Sequence, residues 1–451
     1  LKTLKTKKVL TSMLGVTMLV SLLAGCSSNG GSSGGSSTTP ASTEKVAETA
    51  KTDNTGGKKT ELVFWTLFAG GDGEYMDQII SSFNKSQDNI SIKNVKLEWA
   101  EYYTKLVTGV SGGKGPDIGI SHTSKLPELI KAGVVSELDA TGKAINLNWD
   151  NYNSNILSSA TVNGKHYAVP IDTHPFIMYY NKKHLQTAGL LGADGKPTIE
   201  TGADGFVKFL TTLKDKLPKD VTPFAFSNNA DDPYRLWWAL YSQQGGNDVI
   251  SDDGKTPAID TDKAIKAANY IKDLYYTSKV IKPQDPDFYK TFQSGKGAIM
   301  MTGVWATGTW ETTKDLDFGA MPIPNIYGNT KTWGDSHTII LPVTAKEDPK
   351  KREAALTFAN YVAEKGGQVW AKAGHIPANK TVFDTAEYKA LKYRSDYASV
   401  AADVVFPKVS DKTWPKNDVL KKYLDEIWLN KTPTDAVFKK IDGELKTLLS
   451  K

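Results

Sequence analysis

The sequence predicts an α/β protein built from two lobes, and two observations support that expectation. From about residue 60 onward, short apolar strand patterns alternate with amphipathic helix patterns, the mark of a mostly parallel sheet covered by helices. That patterned part of the 451-residue chain is also longer than the roughly 250–300 residues one hydrophobic core usually serves.

The segments before it have other characters. Residues 1–25 open with Lys2, Lys5, Lys7 and Lys8, followed by an apolar stretch over 9–23 that is short for a membrane span. This is the pattern of a secretory leader. Leu23-Ala24-Gly25-Cys26 matches a lipobox, so Cys26, the single cysteine, is expected to be lipidated and to hold the protein at the outer face of the cell membrane. With that thiol spent, the folded part is expected to contain no disulfide, cysteine-ligated metal or cysteine nucleophile. Residues 26–60 are rich in Ser, Gly and Thr and read as a flexible tether.

The formal charge of +5 says little about partners, because four of those charges are the leader lysines. The arginines are only Arg235, Arg352 and Arg394, with no basic cluster of the kind that reads nucleic acid, so no nucleic-acid partner is expected.

The elements then follow in order. Residues 61–65 read as a strand, and Met76, Ile79, Ile80 and Phe83 as one helix face at i, i+3, i+4, i+7. A strand over 90–97, a helix over 102–110 and a strand over 117–120 come next. Later helix stripes are Ala264, Ala267, Ala268, Ile271; Ala355, Phe358, Ala359, Val362; and Leu420, Tyr423, Leu424, Ile427.

No loop meets the requirements of a nucleotide site. The stretch 189–196 has the wrong glycine spacing and Pro197 where a P-loop needs Ser or Thr, so no cofactor is expected. The six histidines (122, 166, 174, 184, 337, 375) have no metal-ligand spacing, and Asp72-Gly73-Glu74 and Asp252-Asp253-Gly254 lack the calcium-loop pattern; no metal is expected. Asp72, Asp117, Asp172 and Asp335 fall near expected strand ends. There they could supply the two carboxyls of a glycosidase or accept hydrogen bonds from sugar hydroxyls, and spacing alone leaves both open.

Aromatic residues give the stronger signal. Trp65, Trp237, Trp238, Trp305, Trp310 and Trp333 lie in loops or at expected strand ends, with Trp237 and Trp238 expected to split between core and cleft. A sugar presents C–H groups on its face and hydroxyls at its rim, which an indole plus polar side chains complements. The stretch from Phe292 to Trp305, FQSGKGAIMMTGVW, reads as a helix end, a glycine turn, a buried strand and a loop bearing Trp305.

That stretch resembles F-x-x-G-K-x-A-M-x-x-x-G-x-W of family 1 extracellular solute-binding proteins, the maltose-binding-protein-like receptors of ABC importers. Ile299 and Met300 after Ala298, and Val304 where Pro is usual, depart from it. Further motifs occur in the family's order: Trp65-Thr66, Gly115-Pro116-Asp117-Ile118, the run from Gly164 to Pro170 followed by Tyr180-Asn181-Lys182, and Gly374-His375-Ile376-Pro377-Ala378. The resemblance implies a two-lobed, periplasmic-binding-protein-like (type II) fold with hinge segments and a central cleft. Lobe one is expected over 58–172 plus 306–346, lobe two over 173–305 plus 347–451, with crossings near residue 170 and after Trp305. It implies a monomeric, non-enzymatic receptor that delivers a carbohydrate to a membrane permease served by a separate ATPase. The expected ligand residues are Trp65, Phe68, Asp72, Asp117, His122, Asp172, Trp237, Trp238, Trp305, Trp333, Asp335 and His375. A membrane-anchored glycosidase and a receptor for a non-sugar solute are the alternatives.

Overall fold

The structure, a computed structural model, describes residues 59–68, 72–227, 231–246, 248–406 and 410–451. Leader, Cys26 and nearly all of the tether lie outside the described residues.

The chain builds two α/β lobes. It opens with β1 (Thr60–Thr66), β2 (Ile90–Lys96) and β3 (Ile118–His122), β1 pairing in parallel with both others. Between them run α1 (Asp72–Ser86), burying Met76, Ile79, Ile80 and Phe83 as its periodicity requires, and α2 (Trp99–Ser111). A small hairpin of β4 (Thr161–Val162) and β5 (Lys165–His166) precedes β6 (Ala168–Pro170). The chain then crosses along β7 (Asp172–Asn181), a ten-residue strand buried at every position.

The second sheet follows: β8 (Thr222–Ala225), β9 (Gly297–Gly303), β10 (Phe318–Met321) and the short β11 (Gly334–Asp335). Its order is β10-β7-β9-β8, and β11 also pairs with β7. The chain next returns to the first sheet as β12 (His337–Ile340), giving the order β2-β1-β3-β12-β6. A last short strand, β13 (Ile376–Pro377), pairs with β7.

Three crossings therefore meet at the start of β7, where Asp172 faces Pro377, Thr173 faces Ile376, and His174 faces Asp335. This pairing corrects two expectations. The chain does not leave the second lobe after Trp305, because β10 is hydrogen-bonded along β7 from Asn181 to Met178; the crossing comes at Gly334–His337 instead. The helix Pro349–Glu364, expected in lobe two, packs its Ala355, Phe358 and Val362 face into the first lobe's core with Phe64 and Phe83. The segment 306–346 is thus divided between the lobes rather than belonging to the first.

Candidate functional site

A cavity of ≈ 340 Å³ opens where the two sheets face each other, at the carboxyl ends of β1 and β3. Ligands of open α/β sheets sit at such ends. The first lobe contributes Leu67, Phe68, Asp72, Trp99, His122 and Ser124; the second contributes Asp231, Tyr234, Arg235, Trp305, Trp333 and Trp414; the crossings contribute His174, Asp335 and His337. A larger groove of ≈ 870 Å³ lies among lysines of the second lobe alone and receives nothing from the first.

Trp305 is placed by the stretch that carries it. The helix Phe288–Gln293 ends at a turn in which Gly295 has φ 74°, β9 runs fully buried to Gly303, and Trp305 follows in a single helical turn. Its ring folds back over Gly303, where an added Cβ would lie 1.8 Å from Trp305 Cζ3, so a side chain at this position would force the indole aside. Trp305 Nε1 donates to Tyr289 Oη at 2.9 Å.

Arg235 completes that wall. Its guanidinium lies 4.9 Å from the Trp305 ring centre and 4.6 Å from that of Trp333, a cation over both of two perpendicular indoles. It also bonds Asp232 at 2.6 Å. Burial works against its charge, but Asp231 and Asp232 outweigh that and raise its pKa. Lys421 pairs with Asp231 at 3.1 Å and Asp418 at 3.2 Å. Both cations that line the cavity among the described residues are therefore paired with carboxylates.

Across the cavity, Trp99 lies 5.8 Å from Trp414 and 5.0 Å from His122. Trp414 comes from the second lobe's helix Thr413–Asn430, yet its Nε1 donates to Ser124 Oγ of the first at 2.9 Å. Asp335 is enclosed by donors: Thr123 Oγ1 and Ser336 N at 2.8 Å each, with Ser124 Oγ also bound to it.

Beneath the floor, Asp172 is fully buried and accepts from His174 Nδ1 (3.0 Å), His337 Nδ1 (2.8 Å), His337 N (2.9 Å) and Trp370 Nε1 (2.6 Å). Burial alone would raise its carboxyl, but His337, His375 and His174 outweigh that and hold it well below the usual range. Burial pushes His122 well down, and pushes His174 down to about 4, with His337 adding to both shifts. Burial also opposes charging His375, yet Asp72 and Asp172 prevail and its pKa rises.

Of the residues expected at the ligand, Phe68, Asp72, His122, Trp305, Trp333 and Asp335 line the cavity. Asp172 and His375 lie under it, both fully buried. The other four are corrections. Trp65 packs under α2, where a Cβ on Gly109 would touch it at 3.1 Å; the strand end reaches the cavity two and three residues later, at Leu67 and Phe68. Asp117 sits at the opposite end of the sheet, accepting from Val63 N at 2.8 Å and facing Lys351 at 3.3 Å. Trp237 and Trp238 are both core: Trp237 stacks on Tyr241 at 5.3 Å and donates to Ala264 O, while Trp238 donates to Val405 O. Their helix, Asp231–Gln243, presents instead its first turns, with Asp231, Tyr234 and Arg235 at i, i+3, i+4. Trp310 is core too, edge-on to Tyr179 at 4.3 Å.

Sequence reasoning did not single out Trp99, His174, Tyr234, Arg235, His337 or Trp414 as ligand residues. The i, i+3, i+4 spacing in the helix beginning at Asp231 was a usable signal for Tyr234 and Arg235. Trp414 had none, since its helix stripe faces the core.

Comparison with known proteins gives a consistent picture. A family model described as bacterial extracellular solute-binding protein matches residues 78–394. The arabinooligosaccharide-binding protein of Halalkalibacterium halodurans is 24% identical over 346 residues, 73% of this chain and 74% of its own. The maltodextrin-binding protein of Bacillus subtilis is 24% identical over 334 residues, covering 68% and 70%. Among solved structures, the GacH receptor of Streptomyces glaucescens, determined unliganded and with acarbose, superposes with a TM-score of 0.76 at 18% identity, over 87% of this chain and 99% of that one. Maltose-bound MalE3 of T. maritima gives 0.74 at 19%, over 86% and 100%. These structural likenesses establish the two-lobed fold.

Proposed function

Because the chain belongs to the bacterial extracellular solute-binding protein family, we propose that it captures a carbohydrate between its lobes and passes it unaltered to the permease of an ABC importer. The observation that supports this reading is the arrangement of indoles. Trp305 packs beside Trp333 and Trp99 beside Trp414 in the cavity lining, together with Asp72, Asp231 and Asn417. Flat apolar faces with carboxylate and amide groups around them match a sugar's face and rim. Relatives named for arabinooligosaccharides and maltodextrin point to the same ligand class.

Two of the four carboxyls weighed for the glycosidase alternative are removed from it, while Asp72 and Asp335 line the cavity. Asp117 is away from the cavity, and Asp172 is enclosed and held ionised, so neither can act as the general acid that such hydrolysis needs. An anionic solute is disfavoured because Arg235 and Lys421 already face their own carboxylates.

Titrating oligosaccharides into the purified protein tests the proposal. Saturation at one equivalent is expected, with a melting temperature that rises with ligand, since a ligand at 100 times its Kd adds about 2.7 kcal/mol to the folded state. A broad panel that neither binds nor shifts melting overturns it.

Family proteins act outside the cytoplasm, and no described helix is long and apolar enough to cross a membrane. The lipobox supports anchoring through Cys26. Changing Cys26→Ser is expected to move the protein from membrane to medium with sugar affinity intact; retention at the membrane removes the anchor.

A further inference from the structure

At one corner of the cleft the two lobes touch directly. Trp414 opens the helix Thr413–Asn430, whose Leu420, Leu424, Ile427 and Trp428 are set in the second lobe's core. Its indole nevertheless packs among side chains of the first lobe. The ring centre lies 5.1 Å from that of Tyr103, 5.8 Å from Trp99 and 6.1 Å from His122. Lys125 Nζ stands 4.8 Å from the same ring, and Trp414 Nε1 donates to Ser124 Oγ at 2.9 Å.

All five partners are fixed within the first lobe. Trp99 and Tyr103 share α2, which buries Leu106 in that lobe's core. His122 ends β3, and Ser124 and Lys125 lead from it into the helix Leu126–Lys131. The last residue of that helix makes a second tie, because Lys131 Nζ donates to Asp411 Oδ2 at 2.5 Å, three residues before Trp414. Neither Lys131 nor Asp411 lines the cavity.

The two ties differ in weight. Edge-to-face rings and an ammonium over an indole attract beyond the area they bury. Trp99 is already 43% exposed, and parting the lobes would bare more of its ring together with the face of Trp414. The Lys131–Asp411 pair has side chains 69% and 29% exposed, so water and salt weaken it. The indole dominates. Every one of these contacts runs from protein to protein, so none needs a solute to bridge it.

We propose that Trp414, seated against Trp99, Tyr103, His122, Ser124 and Lys125, is a clasp that holds the lobes together with or without a solute. The Lys131–Asp411 pair is its minor second point. The clasp biases the hinge equilibrium toward the closed form, so entry and release of a solute both wait for the indole to unseat. Without it the closed form is less populated, and apparent affinity falls in proportion. The clasp stands on contacts between the lobes and does not depend on the solute being a sugar.

The test is small-angle scattering of the purified full chain, dialysed free of solute, with folding followed by circular dichroism and melting. Trp414→Ala is expected to shift the balance about thirtyfold toward separated lobes, the usual consequence of truncating an aromatic anchor at an interface. The reading is a larger radius of gyration in a protein that remains folded. Trp414→Phe keeps a ring but loses the bond to Ser124, so it should expand less. Lys131→Glu should shift the balance by no more than about fivefold, and adding Asp411→Lys should restore the parent profile. If Trp414→Ala does not fold, Trp99→Ala, which removes the facing ring, decides by the same reading. Folded variants of Trp414 or Trp99 that scatter as the parent does overturn the clasp. Sugar titration of the parent separates the two readings: sugar bound with unchanged scattering in the variants removes the clasp alone, and expansion of the variants with no sugar affinity in the parent removes the carbohydrate cargo alone.

Discussion

Trp305→Ala is expected to weaken sugar binding about thirtyfold or more while leaving a folded protein. The ring is half-buried, lines the cavity and packs against Arg235. Truncating an aromatic anchor of this kind costs roughly 2 kcal/mol or more, and each 1.4 kcal/mol is about tenfold in affinity. Trp305→Phe should keep part of the affinity, because a smaller aromatic face remains. Gly303→Ala should weaken binding in the same direction without removing the indole, since its new methyl would push the Trp305 ring from its place. Calorimetric titration reads the affinity and thermal melting reads the fold. Normal affinity with a large fall in melting temperature would place Trp305 in the core instead.

Trp237→Ala is expected to do the opposite. This ring has no exposed surface, stacks on Tyr241 and bonds the Ala264 carbonyl from the neighbouring helix Thr261–Tyr276. Removing a buried tryptophan costs about 3–5 kcal/mol, a large share of the roughly 5–15 kcal/mol by which domains are stable. Denaturant unfolding should show that loss, and the protein that remains folded should bind sugar with parental affinity. A stable variant with lost affinity would return Trp237 to the cleft.

The contrast between these two tryptophans shows what the sequence made legible. Helix stripes such as Met76, Ile79, Ile80 and Phe83 could be read because one buried face repeats every 3.6 residues. Trp305 could be read because a glycine turn and a short apolar strand fix where the chain emerges. The helix Asp231–Gln243 could not, because it is buried on nearly all sides after its first turn. With no polar face to mark the outside, nothing local distinguished Trp237 from a cleft residue.

His174 and His337 were missed for a different reason. Spacing along the chain detects neighbours on one helix or loop, whereas these two meet through separate strands that converge on Asp172. The misplaced second crossing has the same origin. Pairing of β10 with β7 depends on register between segments far apart in the chain, which local pattern does not encode. Asp117 was misjudged by direction: it precedes β3, so it lies at the amino end of the sheet while the cavity lies at the other.

The central claim is that the cleft holds a sugar and does nothing to it. The most direct measurement follows the sugar itself: the protein is saturated with an oligosaccharide that binds, washed, denatured, and the released carbohydrate is weighed by mass spectrometry. A receptor returns one equivalent per chain with its length and linkages intact, however long the incubation. Shortened or rearranged products that accumulate with time, and that disappear on heat inactivation, would contradict the claim and make this cleft an active site.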